Sequence, residues 1–211
     1  MSNVLVEEST MANIANAIRT KTGKENKILP KDMPSEIGKI ESGGNNNELL
    51  NSVINRTVTD ILIDTDIGGY CFFNCGYIKP TFGDNCNIIG DYAFQNCGRL
   101  TEVNTNKVTI IKGNAFAGLG ALGKAILPNV LEINNGAFNN CKNLTSLSIK
   151  STTICNLKTI GALSNTPLAS GTGYIYVPKE LIEQYKVATN WVTYAEQFRA
   201  IEDYPEITGG V

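Results

Sequence analysis

The sequence predicts an α+β protein built around a short solenoid of about four to five 22-residue repeats. The repeats are predicted because a nine-residue segment recurs every 22 residues, as is typical of proteins built from stacked repeats. Two short amphipathic patterns ahead of it predict a small N-terminal helical module. An aromatic-rich pattern after it predicts a C-terminal helical cap. The recurring segment reads IGGYCFFNC (67–75), IGDYAFQNC (89–97), IKGNAFAGL (111–119) and INNGAFNNC (133–141).

Residues 1–41 are predicted to form two short helices that serve as an anchoring module. Ser9 or Thr10 can cap the first helix, and Asp32 lies near the start of the second. Isolated helices under about 12–15 residues are only marginally stable, so we expect the module to pack on a partner or on sister chains. The apolar residues predicted to anchor or oligomerise the chain are Met11, Ile14, Ile18, Ile37 and Ile40.

Residues 42–47, SGGNNN, predict a flexible linker between this module and the repeats. The segment 48–168 is then assigned to the repeats and an N-terminal capping segment. The period breaks near the end of this segment, where Ile160 follows Ile133 by 27 residues and Asn165 stands in place of the recurring phenylalanine.

The segment 169–211 is predicted to be a strand-helix cap. YIYV (174–177) predicts a strand, and Pro178 is placed to open a helix after it. The single tryptophan, Trp191, belongs to an aromatic cluster that suits coverage of an exposed core edge better than a ligand site.

Within the repeats, apolar columns alternate with variable positions in the L-x-x-L-x-L rhythm of a leucine-rich repeat. Because one repeat cannot bury these columns alone, stacking must bury them in a continuous ladder. We expect Phe94, Phe116 and Phe138 to form one buried row. The first repeat departs from the rhythm at Pro80, Thr81 and Gly83, so its strand is expected to be irregular.

The segments IGDYAFQNCGRLTEV and INNGAFNNCKNLTSLSI resemble the BspA-type leucine-rich repeats, over about residues 58–168. The front segment STMANIANAIRTKTGKENKILPKDMPSEIGKIES is similar to a short module of tail-region and baseplate-associated proteins from phages and prophages of Gram-positive bacteria. Together the two resemblances imply a structural component of a phage tail, baseplate or phage-like particle. Its repeats would face outward, where they are available for receptor binding and attachment to the host.

The partners implied are other tail or baseplate proteins and a bacterial cell-surface protein or glycan. The location implied is the virion, after synthesis in the bacterial cytoplasm. A homotrimer is favoured from the common symmetry of tail appendages. The alternative is a bacterial cell-surface adhesin of the BspA type that binds a host protein or glycan. The N-terminal MSNVLVEESTMANIA lacks the basic and apolar regions of an export signal, which argues against this alternative.

Composition and motifs give no indication of an enzyme. The chain has no histidine, and no C-x-x-C pair is present, so no metal site or cofactor is expected. A net charge of −2 gives no basic footprint for nucleic acid, and no apolar run suits membrane insertion. Asp64 and Asp66 would face one side of a strand, where they either cap a turn, the favoured interpretation, or bind a cation.

Four of the six cysteines share repeat columns with leucine or alanine, which favours packing over chemistry. We therefore expect all six to be reduced and mostly unreactive. The variable strand positions, in contrast, are expected to project from a concave face and form a candidate binding surface. They are Phe82, Asp84, Glu102, Asn104, Asn106, Lys124, Ile126, Ser146, Ser148 and Lys150.

Overall fold

The computed structural model describes residues 4–6, 59–75 and 78–208. The two predicted N-terminal helices and the linker lie outside the described residues. Twelve short strands account for most of the regular structure within them. They are β1 (Val4–Val6), β2 (Thr59–Ile63), β3 (Ile78–Phe82), β4 (Ile88–Ile89), β5 (Glu102–Asn104), β6 (Ile110–Ile111), β7 (Lys124–Leu127), β8 (Glu132–Ile133), β9 (Ser146–Ile149), β10 (Asn156–Leu157), β11 (Tyr174–Val177) and β12 (Phe198–Ala200).

The strands form three sheets, in which every pair is parallel. One sheet has the order β1-β2-β3, a second β12-β11-β9-β7-β5, and a third β10-β8-β6-β4. Consecutive repeats therefore place equivalent strands side by side, for example Ala125 opposite Leu147. The strand β1, at the edge of the first sheet, was not predicted from the sequence.

Each nine-residue segment turns twice through left-handed backbone conformations. Its fourth residue has a positive φ in every repeat, from Tyr70 (62°) to Gly136 (70°). Its eighth residue is asparagine or glycine, again with positive φ, as at Asn96 (61°) and Gly118 (72°). Glycine and asparagine adopt a positive φ with the smallest conformational free-energy penalty, which explains why they recur at the eighth position of the segment.

The core is a single buried cluster with residues from all three sheets, and the recurring phenylalanines run through it. Phe72, Phe94, Phe116 and Phe138 are at most 2% exposed. Successive ring centroids lie 5.0, 5.5 and 5.4 Å apart, with interplanar angles of 16° or less. The predicted row is confirmed, and Phe72 extends it by one ring.

All six cysteines are free thiols, and four of them are buried. Cys97 and Cys141 donate hydrogen bonds to the carbonyl oxygens of Phe72 and Phe116, at 3.0 and 3.1 Å. Burial raises the pKa of the Cys141 and Cys155 thiols to about 12. A thiol with so high a pKa holds almost no nucleophilic thiolate at neutral pH, which agrees with the predicted packing role.

The first repeat departs from the others because its strand is out of phase. In β3, Phe82 is buried and Thr81 exposed, whereas in β5 Val103 is buried and Asn104 exposed. A shift of one residue sends every side chain to the opposite face. The Gly83 amide accordingly donates to Ile63 in the preceding strand, and the described residues of β3 and β5 share no hydrogen-bonded ladder.

The repeat pattern continues further than the sequence period indicates. The first position of the nine-residue segment is isoleucine in all four copies, and Ile133 is the last of them. Leu157, and not Ile160, pairs with Ile133 in the next strand, and Ile160 is 52% exposed. In the earlier repeats, the phenylalanine amide donates to the alanine that precedes the phenylalanine of the next repeat, namely Ala115 or Ala137. The Phe138 amide donates in the same way to the Ala162 carbonyl. The residue after Ala162, the buried Leu163, therefore occupies the position of the phenylalanine. The prediction for Ile160 and Asn165 was wrong because an insertion hides the true alignment.

The terminal segment is mostly short 3-10 turns. Helix α1 (Ile182–Val187) follows the predicted strand, and helix α2 (Pro205–Thr208) ends the described part of the chain. The segment that begins at Trp191 is a 3-10 helix. The 3-10 helices span Ile160–Leu163, Lys179–Leu181, Trp191–Gln197 and Ile201–Asp203.

Aromatic and amide side chains of this segment satisfy the backbone of the last repeat. Trp191 Nε1 donates to the Cys155 carbonyl at 2.6 Å, and the Tyr185 hydroxyl accepts from the Cys155 amide at 2.9 Å. Asn190 donates through Nδ2 to the Leu157 carbonyl at 2.7 Å. Backbone groups that have no further repeat to pair with thus receive side-chain partners.

Candidate functional site

Six of the ten candidate binding residues are accessible to solvent, and the other four are buried. Of the ten predicted positions, Asp84, Glu102 and Asn104 are exposed, and Asn106, Lys124 and Lys150 are half-buried. These six residues occupy the strand ends of the first four repeats. We call the set the concave face, and whether it binds a ligand stays a prediction.

Four of the ten predicted positions do not project into solvent. Phe82 is 3% exposed because the phase of β3 turns it into the core, where its ring meets Phe94 edge-on at 5.8 Å. Ile126, Ser146 and Ser148 are at most 8% exposed. Their expected exposure was wrong, because Ser148 pairs with Tyr176 across the sheet and the chain after β12 returns over this region.

Charged and amide groups organise the open part of the concave face. Lys124 Nζ lies 3.2 Å from Glu102 Oε2, directly across the β5–β7 pair. Asn106 Nδ2 donates to the Phe82 carbonyl and to Asp84 Oδ1, at 3.1 and 3.2 Å. These contacts hold the side chains of successive repeats in a fixed arrangement, as a surface for selective contact with a partner requires.

A groove of 530 Å³ opens where the concave face meets the terminal segment. Lys124 and Ser146 line it from the repeats, Tyr174 and Tyr176 from β11, and Glu206 from α2. The tyrosines were not predicted as site residues. The alternation in YIYV places them on one face of a strand, but the pairing that turns that face toward Ser146 is not a local property. The remaining lining residues are Thr101, Gly123, Thr145, Thr172 and Ile207.

Asp64 and Asp66 connect the first repeat to the second. Asp64 accepts hydrogen bonds from the Asn85 amide and from Asn85 Nδ2, at 2.9 and 2.8 Å. Asp66 Oδ1 accepts from the amides of Asn87 and Ile88, both at 2.8 Å. The hydrogen bonds from the Asn85 backbone and side chain hold the pKa of Asp64 below its usual value. This geometry favours the turn-capping interpretation over the cation site.

Within residues 4–6, 59–75 and 78–208, no group of three or more cysteine, aspartate or glutamate side chains could hold a metal ion. No helix in the part of the chain that the structure describes has the length and apolarity needed to cross a membrane.

Comparison with protein families gives one match. Residues 65–178, more than half of the chain, match a BspA type leucine rich repeat region in six copies. The count exceeds the predicted four to five repeats. Comparison with curated proteins gives no significant match. A repeat region of this kind suggests interaction with proteins or surfaces.

Proposed function

Because the chain belongs to the family of proteins with a BspA type leucine rich repeat region, we propose that it is a non-enzymatic interaction protein that binds its partner through the concave face. The observation that carries the proposal is the Glu102–Lys124 pair beside the Asn106–Asp84 contact, a polar surface with fixed geometry above a rigid core. Fixed polar groups of this kind give specificity, since they disfavour partners that leave them unpaired.

We interpret the stacked repeats as a short solenoid and the segment 169–211 as its cap. The stacked phenylalanine row and the parallel pairing of equivalent strands support the first statement. The hydrogen bonds from Trp191 and Tyr185 to the last repeat support the second. A capped solenoid is a self-contained unit that can be held away from its point of attachment.

The finer proposal is a structural component of a phage tail, baseplate or phage-like particle. The similarity of residues 9–42 to a module of tail-associated proteins supports it. Met11, Ile14 and Ile18 would then attach the chain to the particle or to two sister chains, and the repeats would face the host cell. A cell-surface adhesin is the second candidate, and it is the one that the family match favours, because a repeat region of this type suggests interaction with proteins or surfaces.

Deletion of residues 9–44 tests whether the N-terminal module attaches the chain to its particle while the repeats fold without it. The deletion keeps β1, which pairs with β2. We expect the shortened chain to unfold cooperatively at the wild-type urea midpoint. We also expect it to be lost from purified particles, or to fall from an oligomer to a monomer in light scattering. A second deletion, of residues 1–44, measures the additional contribution of β1.

Unfolding or aggregation of the chain that lacks residues 9–44 would contradict the anchor, because the deleted residues would then belong to the fold of the repeats. Retention of that chain on particles as an unchanged oligomer would also contradict it.

A further inference from the structure

We propose that the groove between the concave face and the terminal segment binds a neutral oligosaccharide. The inference rests on the proposed function, because the groove opens on the proposed interaction face. Its volume of 530 Å³ falls within the range of about 300–1,000 Å³ of small-molecule sites.

The lining of the groove suits a ligand that carries many hydroxyl groups. Six of its ten lining residues carry a hydroxyl themselves, contributed by threonine, serine and tyrosine side chains. Thr145 and Thr172 already donate their hydroxyl hydrogens to the Gly123 and Pro167 carbonyls, at 3.4 and 3.3 Å, and so can accept from a ligand. The other hydroxyls can match a sugar hydroxyl as donor or as acceptor. Lys124 adds a donor, and Glu206 adds an acceptor.

The charges of the groove favour a neutral ligand over an anionic one. Among the residues that the structure describes, Lys124 and Glu206 are the only charged ones that line the groove, and their formal charges cancel. The Lys124 ammonium is already paired with Glu102 at 3.2 Å. A phosphate or an acidic chain would lack the arginine or lysine cluster that such ligands require.

An exposed aromatic ring supplies the apolar contact that the C–H face of a sugar ring needs. Tyr174 lines the groove and is 42% exposed. The Arg199 guanidinium carbon lies 4.3 Å from the centroid of the Tyr174 ring, and this cation–π contact helps to fix the ring in place. Arg199 is in turn held by the Phe198 carbonyl, to which Nη1 donates at 2.7 Å.

A buried hydroxyl at the groove has no partner within the described residues. Ser146 lines the groove and is 8% exposed, yet its Oγ forms no hydrogen bond there. A buried polar group without a partner destabilises a protein, so its presence in a native fold calls for an explanation. The Ser146 Oγ has almost no exposed surface of its own, so a ligand hydroxyl provides one when the atoms that cover Oγ move aside on binding.

The test is saturation-transfer NMR on the full-length chain with maltotriose, xylotriose, mannotriose and the trimer of N-acetylglucosamine. We expect at least one probe to bind, and Tyr174→Ala to weaken its binding about tenfold or more. Ser146→Ala should also weaken binding but leave the melting temperature unchanged or raise it, because it removes a hydroxyl without a partner. This opposite effect on binding and stability separates a binding role from a structural one.

The matched control is Tyr70→Asn, a tyrosine of similar exposure away from the groove, in a column that holds Asn114 two repeats later. It should leave binding unchanged. Failure of all four sugars to bind, or binding that survives Tyr174→Ala and Ser146→Ala, would overturn the proposal. A chain that binds no sugar but still attaches to particles through residues 1–41 would leave the proposed function in place.

Discussion

Replacement of Phe116 by alanine is expected to lower the free energy of unfolding by about 3–5 kcal/mol. Phe116 is fully buried, and its ring stacks on Phe94 and Phe138 at centroid distances of 5.5 and 5.4 Å. Removal of the Phe116 ring leaves a cavity in the middle of the phenylalanine row and eliminates its stacking contacts with Phe94 and Phe138. Because domains of this kind are stable by only about 5–15 kcal/mol, the loss should shift the urea midpoint strongly.

Two variants serve as controls for Phe116→Ala. Val192→Ala removes apolar atoms from a residue that is 56% exposed, and it should leave the midpoint nearly unchanged. Phe116→Leu should cost less than alanine, because Leu163 already fills the equivalent position of the last repeat. A midpoint for Phe116→Ala equal to that of Val192→Ala would refute the stacked row.

Replacement of Trp191 by alanine is expected to cost a similar amount, about 3–5 kcal/mol. Trp191 is 1% exposed and packs edge-on against Tyr185, with ring centroids 5.5 Å apart. Its indole N–H also satisfies the buried Cys155 carbonyl at 2.6 Å. Loss of the side chain therefore removes apolar burial and leaves a backbone acceptor of the last repeat without its partner.

Trp191→Phe separates the two contributions, because it keeps an aromatic ring and deletes only the donor. It should cost about 1–3 kcal/mol, the penalty for a buried group left without a hydrogen bond. Circular dichroism is the suitable probe, since Trp191 is the only tryptophan and both variants lack its fluorescence. If Trp191→Ala melts only the terminal segment and the repeats keep the wild-type midpoint, the segment does not stabilise the stack.

The phenylalanine and isoleucine columns were predictable because each recurs at a fixed spacing and occupies the same place in each stacked unit. Phe82 was not predictable in this way. The phase of β3 follows its pairing with β2, in which Ile63 lies opposite Phe82, and β2 precedes the first nine-residue segment. Local periodicity carries no information about a partner strand outside the period.

Only the part of the groove that the repeats contribute was predictable, because the rest comes from a segment outside the repeat period. Lys124 and Ser146 came from the repeat pattern, whereas Glu206 comes from a segment that returns over the repeats from the far end of the chain. Such long-range contacts leave no mark in hydropathy. The same return explains why Ser148 is buried, although its position in the repeat predicts exposure.

The most direct test of a binding role for the concave face exchanges the Glu102–Lys124 pair, which lies on its open part. The double variant Glu102→Lys/Lys124→Glu keeps an ion pair, so its stability should stay within about 0.5 kcal/mol of wild type. Binding of the labelled full-length chain to intact Gram-positive bacterial cells, the partner class of the phage-tail proposal, should fall about tenfold. A double variant that is equally stable and binds these cells as well as wild type would contradict a binding role for the concave face.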